Sequence, residues 1–282
     1  MDLGTPGEKD EPVVLNEQAP WSEFDSDAYV AGNYHELQPA DAEIISIMRD
    51  HFGGYFREHA DPVIGIDVGA GANLYPALAM LPWCKEITLF ERSPRNLTYL
   101  RRQLKAKSYD GNWDQFWEAL CKNSEYGEFK GDPRERFREV VRVAPGNILA
   151  SDLGEQLGEK RDSWSIGTMF FVAESMTTSE EEFQRGVACF MRALAPGAPF
   201  FAAFMEHSEG YHVGDAFFPA YDVGRSEVLE SLEPFAGKSG TLRVERLKTP
   251  VKVRAGYSGM IVAYGCRNSE DDIPGFQAGS RT

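Results

Sequence analysis

A glycine-containing turn and an acidic residue, each following a short apolar run, are the residues of this chain best suited to hold a ligand. The first run, Val63–Val68, leads into Asp67-Val68-Gly69-Ala70-Gly71, and the second run, Ile87–Phe90, ends at Glu91. Glycines lack Cβ atoms, so the backbone can touch a ligand. An acid about 20 residues after such glycines can accept hydrogen bonds from both ribose hydroxyls of an adenosine. The spacing therefore predicts an adenosine-containing ligand.

Two residues discriminate between the adenosine cofactors that such a turn can hold. Leu74 stands where a dinucleotide fingerprint has a third small residue, which allows close helix packing around a pyrophosphate. Asp67 precedes the glycines, as is common in sites for S-adenosylmethionine (SAM), and SAM has no phosphate that would need a helix N-terminus. These residues favour SAM over NAD. An NAD-dependent oxidoreductase stays open as an alternative that calorimetry with both cofactors would separate.

Alternating strands and helices are expected to position these residues. Short, β-rich apolar runs predict buried strands at Val63–Val68, Ile87–Phe90, Val140–Val143, Trp164–Phe171 and Pro199–Met205. Apolar residues at helical spacing predict helices at Asp41–Phe56, Pro94–Lys105, Ser179–Leu194 and Arg225–Phe235. This alternation predicts a parallel sheet with right-handed crossovers. Two later runs predict an antiparallel hairpin at the sheet edge, at Leu242–Leu247 and Gly259–Tyr264.

Composition shifts predict one folded domain between flexible ends. Residues 1–20 are polar with Pro and Gly, residues 21–267 form the domain, and residues 268–282 are expected to be a flexible tail. The charged segment 106–138 interrupts the alternation and is interpreted as an insertion with one or two amphipathic helices. Its aromatic residues are expected to pack in the protein interior; they are Trp113, Phe116 and Trp117.

The charge and the cysteines exclude several classes of partner and site. A formal net charge of −15 and the lack of a basic stretch argue against a nucleic-acid partner. The four cysteines are scattered, which argues against a disulfide framework or a zinc site and suits a reducing, cytoplasmic compartment. No signal peptide and no apolar stretch of about 18 residues is present, so no membrane partner is predicted.

Three motifs resemble those of a known family, the nicotinamide, phenylethanolamine and thioether/indolethylamine N-methyltransferases with their bacterial relatives. Phe24-Asp25-x-x-x-Tyr29-x-x-x-x-Tyr34 resembles the family's lid motif, Asp67-x-Gly69-x-Gly71-x-x-x-Tyr75 its glycine loop, and Glu91-x-Ser93-x-x-Asn96-Leu97 its acidic segment. The resemblance covers most of residues 24–265. It implies a Rossmann-like class I methyltransferase fold: a seven-stranded, mostly parallel sheet with an antiparallel C-terminal hairpin and a helical lid at residues 21–58.

The resemblance also implies cofactor contacts for SAM. Tyr29 and Tyr34 would close over cofactor and substrate, the glycine loop would line the methionine portion, and Tyr75 would bond its carboxylate. Asn147 departs from the aspartate that the family often has beside the adenine. The full set of expected cofactor residues is Tyr29, Tyr34, Gly69, Ala70, Gly71, Tyr75, Glu91, Arg92, Asn96, Asn147, Ile148 and Phe170, with Met169 beside Phe170.

On the substrate side, the resemblance implies Glu206 and Tyr29 as catalytic candidates. Methyl transfer is an in-line displacement, so the protein acts mainly by alignment. A carboxylate such as Glu206 can hold an ammonium group or accept a proton from a ring N–H; which of Glu206 and His207 acts as base stays open. The expected substrate residues are Phe171, Glu174, Glu206, His207, Tyr211 and Phe218.

Four functions stay open at this point. The resemblance implies N-methylation of a small amine or N-heteroaromatic, indole-type compound. C-methylation of an electron-rich indole-type ring in natural-product biosynthesis needs a similar flat pocket with one acid. A SAM-binding protein without activity and an NAD-dependent oxidoreductase are the other two. No metal is expected, because no cluster of Asp and Asn ligands for Mg²⁺ can be assembled. The oligomeric state is not predicted.

Overall fold

The computed structural model describes residues 12–105, 109–122, 125–159, 162–250 and 256–269. Its strands are β1 (Val63–Val68), β2 (Cys84–Glu91), β3 (Val141–Pro145), β4 (Ile166–Phe170), β5 (Pro199–Glu206), β6 (Tyr211–Val213), β7 (Ala216–Phe218), β8 (Arg243–Arg246) and β9 (Gly259–Cys266). In these residues, seven strands form one sheet in the order β3-β2-β1-β4-β5-β9-β8. β1 to β5 pair in parallel, whereas β9 is antiparallel to both β5 and β8. The predicted sheet and its antiparallel end are confirmed.

The helices lie on both faces of this sheet. They are α1 (Ser26–Asn33), α2 (Pro39–Phe56), α3 (Tyr75–Met80), α4 (Pro94–Lys105), α5 (Asp114–Cys121), α6 (Pro133–Val140), α7 (Leu153–Leu157), α8 (Glu180–Ala193) and α9 (Arg225–Ala236). One core cluster joins α2 to α5 with one face of the sheet, and a second joins α7 to α9 with the other face. β4 and β5 are consequently buried along their whole length, as expected for strands covered on both faces.

Most element boundaries differ from the sequence prediction by one to three residues, for local reasons. Val140 belongs to α6, so β3 begins at Val141. Trp164 forms only an isolated bridge with Leu194, so β4 begins at Ile166. Ser179 is the N-cap of α8 and its hydroxyl accepts from the Glu182 amide. The sequence analysis missed α7, β6 and β7, which are only three to five residues long.

A small cap covers the carboxyl ends of the strands near β1. It combines residues 21–34 with the β6–β7 hairpin, which forms a separate two-stranded sheet. Phe24, Tyr211 and Phe218 form its buried centre, with Trp21 and Tyr29 packed against them. Ser26 joins the cap to α4, because its hydroxyl donates to Asn96 Oδ1 at 2.7 Å.

The insertion supplies packing behind this edge of the sheet. Its described part contains α5 and α6, and Trp113 and Phe116 are fully buried. Phe116 stacks on Tyr75 with ring centroids 5.3 Å apart and planes inclined by 4°. Helix α5 of the insertion therefore contacts the start of α3, directly after the glycine turn.

The two predicted flexible ends fall partly outside the described residues, at 1–11 and 270–282. Within the described part, Val14 exchanges hydrogen bonds with Thr178, and Asn16 is buried. At the other end, Asn268 is buried and its Oδ1 accepts from the Lys238 and Ser239 amides. The flexible character of the ends stays a prediction. In the part of the chain that the structure describes, no helix is long and apolar enough to cross a bilayer.

Candidate functional site

The turn after β1 has a backbone conformation that requires glycine. Gly69 has φ +67° and Gly71 has φ +59°, in the left-handed region that residues with side chains rarely adopt. A Cβ atom on Gly69 would lie 2.5 Å from Val172 Cγ1. The turn therefore has no side chain at these two positions, and its backbone borders an open space at the carboxyl ends of β1 and β4. In α/β sheets with this strand order, ligands bind at this switch point.

Glu91 lies across this space at the end of β2, where neighbouring backbone groups hold its carboxylate. Oε2 accepts from the Gly71 amide at 2.7 Å. Oε1 accepts from the amides of Arg92, at 2.8 Å, and Ser93, at 2.6 Å. Burial raises the pKa of Glu91, while the three amides act in the opposite direction. The carboxylate is therefore fixed in direction and tied to the glycine turn, as a ribose-binding acid requires.

A cavity occupies the space between the glycine turn, the end of β2 and the cap. Thirteen of the residues predicted from the sequence line it: Tyr29, Tyr34, Gly69, Ala70, Gly71, Glu91, Arg92, Asn96, Asn147, Ile148, Phe170, Phe171 and Tyr211. Residues that the sequence analysis did not assign to the site also line it, among them Asn16, Trp21, Phe24, Asn73, Ser175 and Met176. We refer to this space as the cofactor cavity.

A second, smaller cavity adjoins the first and shares part of its wall. The shared residues are Tyr29, Tyr34, Phe171, Ser175 and Tyr211; the others are Asn33, Asp41, Met205 and Met260. We refer to it as the acceptor cavity. Phe171 has φ +56°, a strained conformation for a non-glycine residue that is common at functional sites. Aromatic rings, two methionines and one carboxylic acid therefore surround this space.

Asp41 is the acid of the acceptor cavity, and it lies in the first turn of α2. Its side chain is buried, and Oδ1 accepts from the Tyr75 hydroxyl at 3.3 Å. Burial raises the pKa of Asp41 to about 7, with the Tyr75 hydrogen bond opposing that rise. Asp41 could have been noticed in the sequence as a carboxylate at the start of an amphipathic helix, but an acid there usually marks an exposed first turn.

Two predicted aromatic residues support the cavities from behind. Tyr75 is fully buried between Phe116 and Tyr34, and its hydroxyl points to Asp41. It does not line the cofactor cavity, where the sequence analysis expected it to bond the cofactor carboxylate. Phe218 lies in the cap centre against Phe24. Tyr75 and Phe218 therefore pack behind the residues that line the two cavities and do not line either cavity themselves.

Three predicted polar residues also lie away from the cavities. Glu206 pairs with Arg246 Nε at 2.6 Å and accepts from the Ser258 hydroxyl at 2.8 Å, because the β5–β9 register places it beside Gly259. Glu174 is fully buried and accepts from the Met205 amide at 3.0 Å. His207 is half-exposed and bonds Asp222 at 2.7 Å. None of the three lines either cavity, and Met169 is likewise buried in the core.

The cofactor cavity carries polar groups that fit SAM. Asn73 Nδ2 and Arg92 Nη1 are buried and have no hydrogen-bond partner within the described residues, although both side chains border the cavity. Buried donors without a partner are rare in folded proteins, so both are suited to a bound ligand. Arg92 follows Glu91, the acid expected to bind ribose, and Asn73 follows the glycine turn. In the described ranges, no group of three or more His, Cys, Asp or Glu side chains could hold a metal ion.

The strand order, the glycine turn and the placement of Glu91 define a class I, SAM-type α/β fold. The sequence profile of the NNMT/PNMT/TEMT family matches residues 12–259. The chain belongs to this family and is a SAM-dependent methyltransferase.

The chain is similar to solved structures of methyltransferases at low sequence identity. The CurJ carbon methyltransferase is 12% identical, with a TM-score of 0.51 over 86% of this chain and 58% of that one. The N-methyltransferase NodS from Bradyrhizobium japonicum WM9, in complex with S-adenosyl-L-homocysteine (SAH), is 14% identical, with a TM-score of 0.46 over 82% of this chain and 88% of that one. Among curated proteins, no match was found.

Proposed function

We propose that this protein transfers the methyl group of SAM to a nitrogen of a small amine or N-heteroaromatic compound. The observation that carries the proposal is the pair of adjoining cavities. One has the ribose-side acid Glu91, and the other has aromatic walls and a single acid, Asp41, among its described lining residues. Tyr29 and Tyr34 lie on the boundary, where a cofactor and an acceptor would meet.

The cofactor cavity would hold SAM, which supplies a methyl group on a positively charged sulfur. Glu91 would accept from the ribose hydroxyls, as its position at the end of β2 suggests. Asn73 and Arg92 would donate to acceptor atoms of the same ligand. Asn147 would lie at the adenine end, where its Oδ1 already accepts from Asn16 Nδ2 at 3.1 Å.

In the acceptor cavity, the chain's own residues would orient the acceptor and exclude water. A flat ring would pack against Tyr29, Phe171 and Tyr211, since aromatic faces favour flat or cationic groups. Asp41 would hold the nitrogen end by a charge-assisted hydrogen bond. The proposal therefore assigns the substrate-binding acid to Asp41 at the start of α2, in place of Glu206 at the end of β5, which lines neither cavity.

A screen with methyl-labelled SAM tests this proposal. The acceptors are primary and secondary amines, pyridines and indoles, and the product of any labelled reaction is examined by NMR. We expect label in at least one nitrogen compound and a new N-methyl signal in its product. A new ring C-methyl signal would instead support C-methylation of an indole-type ring. Tight SAH binding without labelled product across the panel would favour a binding protein without activity.

A further inference from the structure

We propose that Asp41 accepts the proton that the acceptor nitrogen loses on methylation, so that the preferred acceptor is a nitrogen bearing a hydrogen. This inference rests on the proposed function and narrows its substrate class to amines and ring N–H groups. It gives a catalytic role to a residue that none of the sequence motifs contains.

The position of Asp41 supports direct contact with an acceptor. It borders the acceptor cavity together with Tyr29, Tyr34 and Asn33, and it does not line the cofactor cavity. Only one oxygen, Oδ1, accepts from Tyr75, and that bond of 3.3 Å is long. The carboxyl group therefore has capacity left for a hydrogen bond from a ligand in the cavity.

The groups that face Asp41 in the acceptor cavity do not accept a proton near neutral pH, so Asp41 is the proton acceptor there. The hydroxyls of Tyr34 and Tyr75 face it from the end of α1 and from α3, and burial raises the pKa of both well above its ordinary value. Both hydroxyls therefore stay neutral at physiological pH. β5 and β9 contribute Met205 and Met260, which do not titrate.

No cation lines the acceptor cavity among its described residues, so no positive charge of the lining competes with the acceptor N–H for Asp41. Two other acids lie close in the fold but have their own partners: Glu206 pairs with Arg246, and Glu174 accepts from the Met205 amide. Burial raises the pKa of Asp41 to about 7, a value suited to a general base near neutral pH.

The step balances with these groups alone. The acceptor N–H donates to the Asp41 carboxylate. In an amine, the nitrogen lone pair forms the N–CH₃ bond as the S–CH₃ bond breaks, the electron pair of that bond stays on sulfur, and the proton of the positively charged nitrogen then passes to Asp41. In a ring N–H group, the proton passes to Asp41 as the N–CH₃ bond forms, because the electron pair of the N–H bond is the one that attacks the methyl group. Release of product into water allows Asp41 to lose that proton.

The pH dependence of the Asp41→Asn variant tests the proposal. The substrate is the best acceptor from the screen, together with an aromatic amine that stays uncharged between about pH 5.5 and about pH 9. For wild type, kcat/KM should rise through pH of about 7 as Asp41 ionises. The Asp41→Asn variant should lack this rise, and its kcat/KM should be about 100-fold below that of wild type at the upper end of the pH range. The Asp41→Glu variant should retain part of the rise.

Asp50→Asn provides the matched control, since Asp50 lies on the same helix but is exposed and paired with Arg49. The Asp50→Asn variant should show the same dependence of kcat/KM on pH as wild type. Unchanged SAH binding by Asp41→Asn would show that the variant is folded. The inference is overturned if kcat/KM of the Asp41→Asn variant still rises with pH near 7, or if the best acceptor has no hydrogen on the methylated nitrogen. A failure of every acceptor would overturn the proposed function itself, whereas methylation independent of Asp41 would overturn only this inference.

Discussion

Glu91 and Asp67 are both buried carboxyl groups at the ends of adjacent strands, and their surroundings differ. Three backbone amides donate to Glu91. Asp67 accepts from the Thr168 hydroxyl at 2.8 Å through Oδ1, while Oδ2 has no partner within the described residues. Burial raises the pKa of Asp67 to about 8. At the residue scale, three backbone amides orient the Glu91 carboxyl group for a ligand, whereas burial keeps Asp67 mostly neutral at physiological pH.

This difference predicts how stability depends on pH. Between the ordinary pKa of Asp67, 3.8, and its folded value of about 8, the unfolded chain has lost the proton and the folded chain keeps it. Stability from Asp67 is complete below the unfolded pKa and is lost as pH rises toward the folded pKa, by at most about 1.4 kcal/mol per pH unit. Asp67→Asn should make the decline of the free energy of unfolding shallower between about pH 5 and about pH 7.5.

Urea unfolding followed by circular dichroism at a series of pH values measures this slope. Asp50→Asn is again the control, because Asp50 is exposed and should leave the slope unchanged. Equal slopes for wild type and Asp67→Asn would contradict the assignment of a neutral Asp67 in the folded protein.

At the scale of elements, residues 12–18 form a strap beside Asn147 at the cofactor cavity, where we propose that the adenine binds. Val14 N donates to Thr178 Oγ1 at 2.8 Å, and Thr178 N donates to Val14 O at 2.9 Å. Asn16 N donates to Glu182 Oε2 at 2.8 Å, and its side chain reaches Asn147. The strap thus joins the loop before α8 and the N-terminal turn of that helix to the cavity wall. Its hydrogen bonds should slow the exit of a bound adenosine.

Removing one of these bonds should speed dissociation of SAH. Thr178→Val deletes the hydroxyl that accepts from Val14, and a hydrogen bond contributes about 1 kcal/mol, which corresponds to about a fivefold faster release. Stopped-flow fluorescence with the tryptophans as reporters measures the rate. Thr98→Val is the control, because the Thr98 hydroxyl bonds only within its own helix, to Pro94 O. Identical release rates for Thr178→Val and wild type would show that the strap does not restrain the ligand.

At the scale of the whole molecule, the sequence predicts the sheet and the cofactor side better than the acceptor side. The glycine turn and Glu91 follow local rules about strand ends, Asn96 follows from the resemblance to the family, and all three line the cofactor cavity. Tyr75 does not line that cavity; its ring stacks on Phe116 of the insertion. The spacing of residues along the chain does not show which distant ring packs against which.

Glu206 and Asp41 show why the acceptor side was harder to predict. The fate of Glu206 depends on the register of β5 and β9 and on Arg246 from β8. The burial of Asp41 depends on how the start of α2 meets α3 and the cap. Both arrangements bring together residues far apart in sequence, so neither has a local signal. The residues that we propose to select the acceptor can therefore be identified only from the tertiary structure.

Isothermal titration calorimetry with SAH, SAM and NAD tests the central claim, that the cavity at the ends of β1 and β2 holds SAM through Glu91. We expect SAH and SAM to bind at one site per chain and NAD to give no heat of binding. Glu91→Ala should weaken SAH binding at least tenfold, since hydrogen bonds to a charged group contribute about 1.5–3 kcal/mol each. Tight binding of NAD without a response to SAM, or equal SAH affinity for wild type and Glu91→Ala, would contradict the account.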